Sequence, residues 1–275
     1  MPVVDFVSPN HDHGAPRPGW DDSEGSLQEF LFDGELRNGA QGPSVRRAQE
    51  LLVLSNHKLA VDGDFGLATR HAVTEFQLAM GSVPTGVIDQ ATHDLLIHPL
   101  MGALSPIGPA GLSLSELVAH YARQHLMARP REVGGRNRGP WVRLYMGGRE
   151  SPERPWNAAM VCFVLRQAAD TLGVTVPLDH TCSCDMLAEA ASRAGLFVPE
   201  SDLEESERRM VIRPGSLVLL RKTPGHWSHV GVVVENPGDC FVSIEGNWSD
   251  EDDPDGHQVC RRVRGFGDKD FIVFD

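Results

Sequence analysis

The stretch "VDGDFGLATRHAVTEFQLAMG", residues 61–81, joins a tight turn to an amphipathic helix. Asp-Gly and a second glycine within residues 61–66 supply the positive φ angles that a tight turn needs and that other residues resist. Apolar side chains then recur at helical spacing, and Gly81 is suited to end the helix. The residues predicted to face inward are Ala68, Ala72, Val73, Phe76 and Met80.

The flanking segments complete a small three-helix unit. "SVRRAQELL" begins at Ser44 with a good N-cap, and "TGVIDQATHDLL" (85–96) gives a turn, an N-cap at Asp89 and a short third helix. Residues 1–41 are rich in Gly, Pro and acids without periodicity, which predicts a flexible leader. Residues 98–112 are rich in Pro and Gly, which predicts a linker after a unit spanning 42–97.

The pattern changes in the second half of the chain. Helices are predicted at 113–126, where Ser113 and Glu116 form a capping box, and again at 155–173 and 184–196, with a Gly-rich loop at 132–148. Period-two segments follow at 215–220, 229–235, 240–246, 257–263 and 270–274. Helices followed by an antiparallel sheet predict an α+β domain over residues 113–275.

Composition excludes several classes of protein. The net charge of −13 argues against nucleic acid or an anionic membrane as a partner, and no apolar run is long enough to span a bilayer. The N-terminus lacks the features of a signal peptide, so synthesis in the cytoplasm is expected. Five cysteines are expected to be mostly reduced. No metal or cofactor is predicted, because the C-x-C of Cys182 and Cys184 lacks a second ligand pair and the acidic segment 249–256 places Arg262 where calcium needs a carboxylate.

Residues 61–96 resemble the peptidoglycan-binding domain 1 family. The resemblance lies in the D-G-x-F-G turn, the A-V-x-x-F-Q helix and the T-G-x-I-D-x-x-T ending. It implies that residues 42–97 hold the glycan or stem peptide of bacterial cell wall in a shallow groove, and that Asp62 and Phe65 of the turn contact the wall.

The stretch "PWNAAMVCFVLRQAADTLG" (155–173) raises the question of catalysis. Thiol acyl transfer needs a cysteine at a helix N-terminus, a histidine to accept its proton and a polar group to orient that histidine. Residue 157 falls in the first turn of the predicted helix, and His229 opens a strand in "SHVG". Glu245 and Asn247 end the next strand in "IEGN", and alternation predicts that both share one face, so either could hold the imidazole.

Residues 113–275 resemble the CHAP family of cysteine, histidine-dependent amidohydrolases and peptidases. The resemblance rests on "GGRNRGPWVRLY", "PWNAAMVCFVLRQA", "PGSLVLL", "SHVGVVVE" and "IEGNWSD". It implies a papain-like fold and a peptidoglycan amidase or endopeptidase, with His229 as general base and Glu245 with Asn247 as the orienting pair. Tryptophans flanking the groove are predicted either to contact substrate or to lie in the core: Trp141, Trp156, Trp227 and Trp248.

The family's nucleophile position holds Asn157, and an amide cannot form the acyl intermediate. Cys162 lies five residues further on, about 140° around the helix and beyond its first turn, so a buried structural thiol is expected there. Cys184 is likewise expected to serve packing. The chain as written is therefore predicted to be inactive, either as an engineered knock-out of a hydrolase or as a natural pseudoenzyme that binds cell wall or a partner protein.

Two routes to the cell wall are open for such a protein. A phage lysin would be released through a holin, and an antibacterial effector would be delivered by a secretion machine. An effector would also have an immunity or inhibitor protein as a partner.

Overall fold

A computed structural model describes residues 28–248 and 257–274. The architecture is α+β, as predicted. Its helices are α1 (Pro43–Leu54), α2 (Leu67–Ala79), α3 (Gln90–Leu104), α4 (Leu114–Ala128), α5 (Pro140–Tyr145), α6 (Asn157–Leu172), α7 (Cys184–Arg193) and α8 (Arg208–Val211). Short 3₁₀ helices cover Gln28–Phe30 and Glu200–Asp202. Within the described ranges, none of these helices combines the length and apolar character needed to cross a bilayer.

Two buried glutamines fix the turns of the N-terminal helical unit, which comprises α1 to α3. Gln49 of α1 donates to the Asp62 carboxylate at 2.8 Å and accepts the backbone N–H of Gly63 at 2.8 Å. Gln77 of α2 accepts the backbone N–H of Gly86 at 2.9 Å, in the turn before α3. Both glutamines are 1% exposed. Each buried amide therefore bonds to groups of a turn, which holds that turn in place.

Residues 28–41 are ordered against this unit, which corrects the prediction of a flexible leader for that part of the segment. Backbone hydrogen bonds of 3.0 and 2.9 Å pair Leu36 with Ile88, and Gln41 forms an isolated bridge with Asp64. These are long-range backbone pairings, so local periodicity could not reveal them. The rest of the predicted leader, residues 1–27, lies outside the described residues.

Helix α3 continues through the first half of the predicted linker. The prediction ended this helix near residue 96, whereas it extends to Leu104 with Pro99 inside it. Proline removes one backbone hydrogen bond from a helix. Leu96, Leu100 and Ala103 lie on one face of α3 and are at most 2% exposed, and their burial offsets that loss. The link to α4 is therefore only residues 105–113.

An ion cluster joins the N-terminal helical unit to the C-terminal domain. Arg143 of α5 binds Glu29, Glu50 of α1 at 2.5 Å and Glu150 at 3.1 Å. Arg131 donates to the last carbonyl groups of α1, at 2.7 and 3.2 Å. Helix α5 itself lies in the segment predicted to be a Gly-rich loop. The two parts of the chain also share one hydrophobic core, so they form a joined structure.

The C-terminal domain contains a six-stranded antiparallel sheet in the order β1-β6-β2-β3-β4-β5. Five strands correspond to the predicted ones, and the missed strand, β1, has only two residues. The strands are β1 (Phe197–Val198), β2 (Leu217–Thr223), β3 (His226–Glu235), β4 (Phe241–Trp248), β5 (Gln258–Arg264) and β6 (Lys269–Ile272).

The two faces of this sheet pack on different cores. Val230, Val232 and Ile244 belong to the core that includes α4, α6 and α7, and we call this side the helix face. Val233 and Phe241 belong to a smaller core on the other side, which we call the far face. Because side chains alternate along a strand, the face that each site residue occupies can be assigned.

Candidate active site

Residue 157 occupies the first position of α6, as the sequence predicts. Asn157 is 4% exposed, and its side-chain oxygen accepts a hydrogen bond from the Cys184 thiol at 3.2 Å. The N-cap residue, Trp156, makes no side-chain capping bond. A helix N-terminus carries partial positive charge and free N–H groups. The position is suited to a nucleophile, but an amide that is bound to a thiol fills it.

Neither neighbouring thiol is suited to replace that nucleophile. Burial raises the pKa of the Cys162 thiol to about 12, and it does the same for Cys184. Cys162 donates weakly to the backbone carbonyls of Asp179 and Thr181, at 3.9 and 3.8 Å. A thiol must ionise to attack a carbonyl group. Both cysteines therefore remain protonated at neutral pH, in agreement with the expectation that they serve packing.

His229 lies beside a buried carboxylate. Its Nε2 is 3.2 Å from Oε2 of Glu245, a close contact that is too poorly aligned for a hydrogen bond. Glu245 is fully buried and binds Arg264 through both oxygens, at 2.5 and 2.7 Å. Burial alone would raise the pKa of Glu245, but the Arg264 guanidinium and the His229 ring hold it well below its usual range. Glu245 is therefore an anion at neutral pH.

The sheet places His229 away from α6. Val230 and Val232 point toward the helices, so the alternating His229 belongs to the far face. Its ring contacts the Trp248 ring edge-on at 4.7 Å between centroids. No hydrogen bond joins His229 to Asn157 within residues 28–248 and 257–274. The expected approach of the imidazole to the helix end is thus not what the structure shows.

A glycine allows the His229 and Glu245 side chains to meet on the far face. Gly231, two residues after His229, faces Glu245 across the β3–β4 pair. A Cβ at Gly231 would lie 2.5 Å from Cγ of Glu245. The "SHVG" motif therefore has a steric reason for its glycine, which the sequence alone did not indicate.

Asn247 is separated from Glu245, contrary to the alternation argument. The β4–β5 register shifts between Glu245 and Trp248, and Asn247 has a φ of 53°. Its side-chain amide donates to Glu132 at 3.0 Å and to Asn137 at 3.1 Å. A left-handed residue breaks the strict alternation of a strand, so the two predicted orienting groups contact different partners.

Glu132 is a site residue that sequence reasoning missed. Its Oε1 accepts the Trp156 indole N–H at 2.8 Å and also the Asn247 amide, while Oε2 accepts the backbone N–H of Asn137 at 2.7 Å. Partial burial raises the pKa of Glu132 above its ordinary value. It lies in a Gly-rich segment, where no periodicity or motif singled it out. This carboxylate joins three segments next to the start of α6.

The predicted substrate contacts differ in their exposure. Trp156 is fully buried and stacks on Tyr145 at 5.5 Å, and Phe65 is fully buried in the core of the N-terminal helical unit, so neither presents a surface to a ligand. Trp227 is half-buried and donates to Asp270 at 2.8 Å. Asp62 is exposed. Both Trp156 and Phe65 are large apolar side chains, for which core packing outweighs surface exposure.

Trp248 is half-buried on the far face, where the Arg264 guanidinium lies over its ring at 4.7 Å. His226, three residues before His229, is exposed and contacts Asp185 at 3.2 Å. Among the described residues, no three His, Cys, Asp or Glu side chains lie close enough together to hold a metal ion. The acidic segment 249–256 lies outside the described residues.

The chain is similar to known proteins over part of its length. No curated protein matches the chain significantly. One solved structure that matches is "Crystal structure of Burkholderia AP3 phage endolysin", at 28% identity and a TM-score of 0.23, over 34% of this chain and 33% of that chain. The match thus spans about a third of the endolysin's length. Residues 41–96 match the family model described as "Putative peptidoglycan binding domain", which confirms the predicted family for the N-terminal helical unit; we call it the wall-binding unit from here on.

Proposed function

We propose that this chain is a peptidoglycan-binding protein whose C-terminal domain has the architecture of a cysteine hydrolase without its nucleophile. The observation that carries the proposal is the peptidoglycan-binding domain at residues 41–96. This domain is of a family that binds peptidoglycan, and the sequence motifs of residues 113–275 support the hydrolase architecture. The chain as written binds cell wall and does not cleave it.

The contacts around α6 support the absence of cleavage. Covalent catalysis needs a nucleophile and a base within about 3 Å of each other. Residue 157 is an amide bound to Cys184, whereas His229 contacts Glu245 on the far face of the sheet. Both the nucleophile and its base are therefore missing from the start of α6.

The test is sedimentation of the full-length chain with purified sacculi. We expect the chain to pellet with sacculi and to remain soluble with cellulose, an insoluble glycan without peptide. We also expect no muropeptides in the supernatant after prolonged incubation. A chain that stays soluble in the presence of sacculi would refute the wall-binding function.

A second candidate function is hydrolysis by a form of this protein with cysteine at residue 157. The specific observation in its favour is that residue 157 begins α6, where a thiolate would be stabilised. This candidate expects muropeptide release by Asn157→Cys and none by the matched variant Asn157→Ala, whereas the pseudoenzyme expects none from either variant because His229 lies on the far face. Muropeptide release by Asn157→Cys that disappears in Asn157→Cys/His229→Ala would favour the hydrolase over the pseudoenzyme.

A further inference from the structure

Residues 28–36 form a strap that lies across α1 and the start of α3. At one end of the strap, Leu36 exchanges backbone hydrogen bonds of 3.0 and 2.9 Å with Ile88. In its middle, the Asp33 carboxylate pairs with Arg47 of α1. The strap has one 3₁₀ turn and no α-helix or strand, so contacts with the rest of the wall-binding unit, rather than internal hydrogen bonds, hold it in place.

A buried histidine lies beneath the strap. His93, in the first turn of α3, is 8% exposed, and its ring centroid is 5.5 Å from that of Phe32. Its Nδ1 is inaccessible to solvent and has no hydrogen-bond partner among the described residues. The space left between the strap and the helices is about 20 Å³, far below the roughly 300 Å³ of a small-molecule site. The strap itself therefore covers this imidazole.

Protonation of His93 is unfavourable while the strap is closed. Burial lowers the pKa of His93 below its ordinary value, and the Arg47 guanidinium acts in the same direction. The first turn of α3 also lies at the positive end of the helix dipole, which disfavours a cation. Asp94, 3.9 Å from Nδ1, and Asp33 favour the protonated ring, but both carboxylates already accept hydrogen bonds from neighbouring side chains, at 2.8 and 2.7 Å. Burial outweighs them.

Opening of the strap would return the imidazole to water, where the pKa of a histidine is about 6.5. The open form then binds more protons at this ring than the closed form, so opening becomes more favourable as the pH falls below that value. Glu29 of the strap acts in the opposite direction, because burial raises its pKa in the closed form and its protonation favours closure. Loosening of the strap at low pH thus has the sign expected of His93 and not that of Glu29.

We propose that residues 28–36 act as an acid-released strap, in which protonation of His93 frees the segment from α1 and α3. Release breaks the backbone pairing between Leu36 and Ile88 and uncovers the side chain of Leu51, which lines the space beneath the strap. The proposal goes beyond wall binding and does not depend on it, since it needs only the strap and the imidazole that the strap covers.

The experiment is hydrogen–deuterium exchange of the full-length chain, with protection factors corrected for the intrinsic pH dependence of exchange. We expect the protection of the Leu36 and Ile88 amides to fall about tenfold between pH 7.5 and pH 5.0. Amides of β3 should keep their protection, which separates local opening from unfolding. His93→Phe keeps an aromatic ring against Phe32 but cannot be protonated, so its strap should stay protected. The matched control His71→Phe, which changes an exposed histidine of α2, should respond like wild type.

Unchanged protection of the Leu36 amide at pH 5.0, or a loss of protection that His93→Phe retains, overturns the proposal. If His93→Phe does not fold, as judged by its thermal melt, an NMR titration of His93 in the wild-type chain decides. The strap amides must lose protection over the pH range in which the ring takes up its proton, and a protonated His93 beneath a protected strap refutes the release. Neither measurement uses sacculi, so failure of the strap is distinct from failure of wall binding.

Discussion

Removing Arg143 should destabilise the joint between the two parts of the chain. The side chains of Glu29 and Glu50 are 2% and 0% exposed, and Arg143 binds both. Arg143→Met keeps a similar apolar length, but it removes the guanidinium that binds Glu29 and leaves Glu50 with the Arg46 guanidinium at 3.4 Å. Removing one partner of a buried ion pair costs about 3–5 kcal/mol. That is a large fraction of the roughly 5–15 kcal/mol by which a typical protein is stable.

The free energy of unfolding that Arg143→Met loses should be larger at high pH than at low pH. Burial already raises the pKa of Glu29 in the folded protein, and loss of Arg143 raises it further. A carboxyl group whose pKa is raised in the folded protein favours the folded state when it is protonated. The free energy of unfolding lost in Arg143→Met should therefore be largest at pH 8 and should shrink as the pH falls through the folded pKa of Glu29. Urea denaturation of wild type and Arg143→Met at pH 8 and pH 5 measures both quantities.

Two further variants control this experiment. Arg143→Lys keeps the charge but loses the fork geometry, so its cost should be intermediate. Adding Glu29→Gln and Glu50→Gln to Arg143→Met should recover part of the lost free energy, since neutral amides cost less to bury. A cost below about 1 kcal/mol for Arg143→Met, together with no pH dependence, would refute a buried ionic joint.

Other predictions concern single contacts. Gln77→Leu should lower the free energy of unfolding by about 1–3 kcal/mol in urea titration, because the turn before α3 loses its buried acceptor; a change below 0.5 kcal/mol would contradict this. Gly231→Ala should cost about 1–3 kcal/mol because its Cβ would clash with Glu245, and an unchanged melting temperature would show that the strands can separate there. Glu245→Gln should destabilise the protein above about pH 5, and this difference should fade as the pH falls toward the depressed folded pKa; a constant difference would argue against an ionised Glu245. Cys162 and Cys184 should react with a thiol reagent at pH 8 only after unfolding, as their raised pKa values require, so rapid labelling of native protein at either site would be contrary evidence.

Local chemistry in the sequence predicted most of the secondary structure. Asp89 and Ser113 cap their helices, and Gly173 ends α6 in the left-handed conformation, as their residue types favour. These features act over a few neighbouring residues. The predicted ends of elements were wrong where contacts between residues far apart in the sequence determine them. Helix α3 continues through Pro99 because α1 and α4 cover its apolar face.

The candidate site was harder to predict than the fold. Residue 157 was located correctly because a helix start is a local property. The placement of His229 depends on which side of β3 the helices cover, and strand alternation in "HVGVVV" offers apolar residues on both sides. Asn247 departs from alternation through a single left-handed residue, and Glu132 reaches the site from a loop. The positions of these three side chains depend on how the strands and loops pack in three dimensions, which the pattern of a single sequence does not show.

The ionic joint described for Arg143 limits how this protein could be re-engineered. A wall-binding unit cannot be exchanged as a cassette at residues 98–112, because that cut would pass through α3 and expose part of the shared core. A donor unit would also need a glutamate at the position of Glu50 to pair with Arg143. Chimeras that respect the end of α3 and restore this pair should fold, whereas those designed on a flexible tether should aggregate.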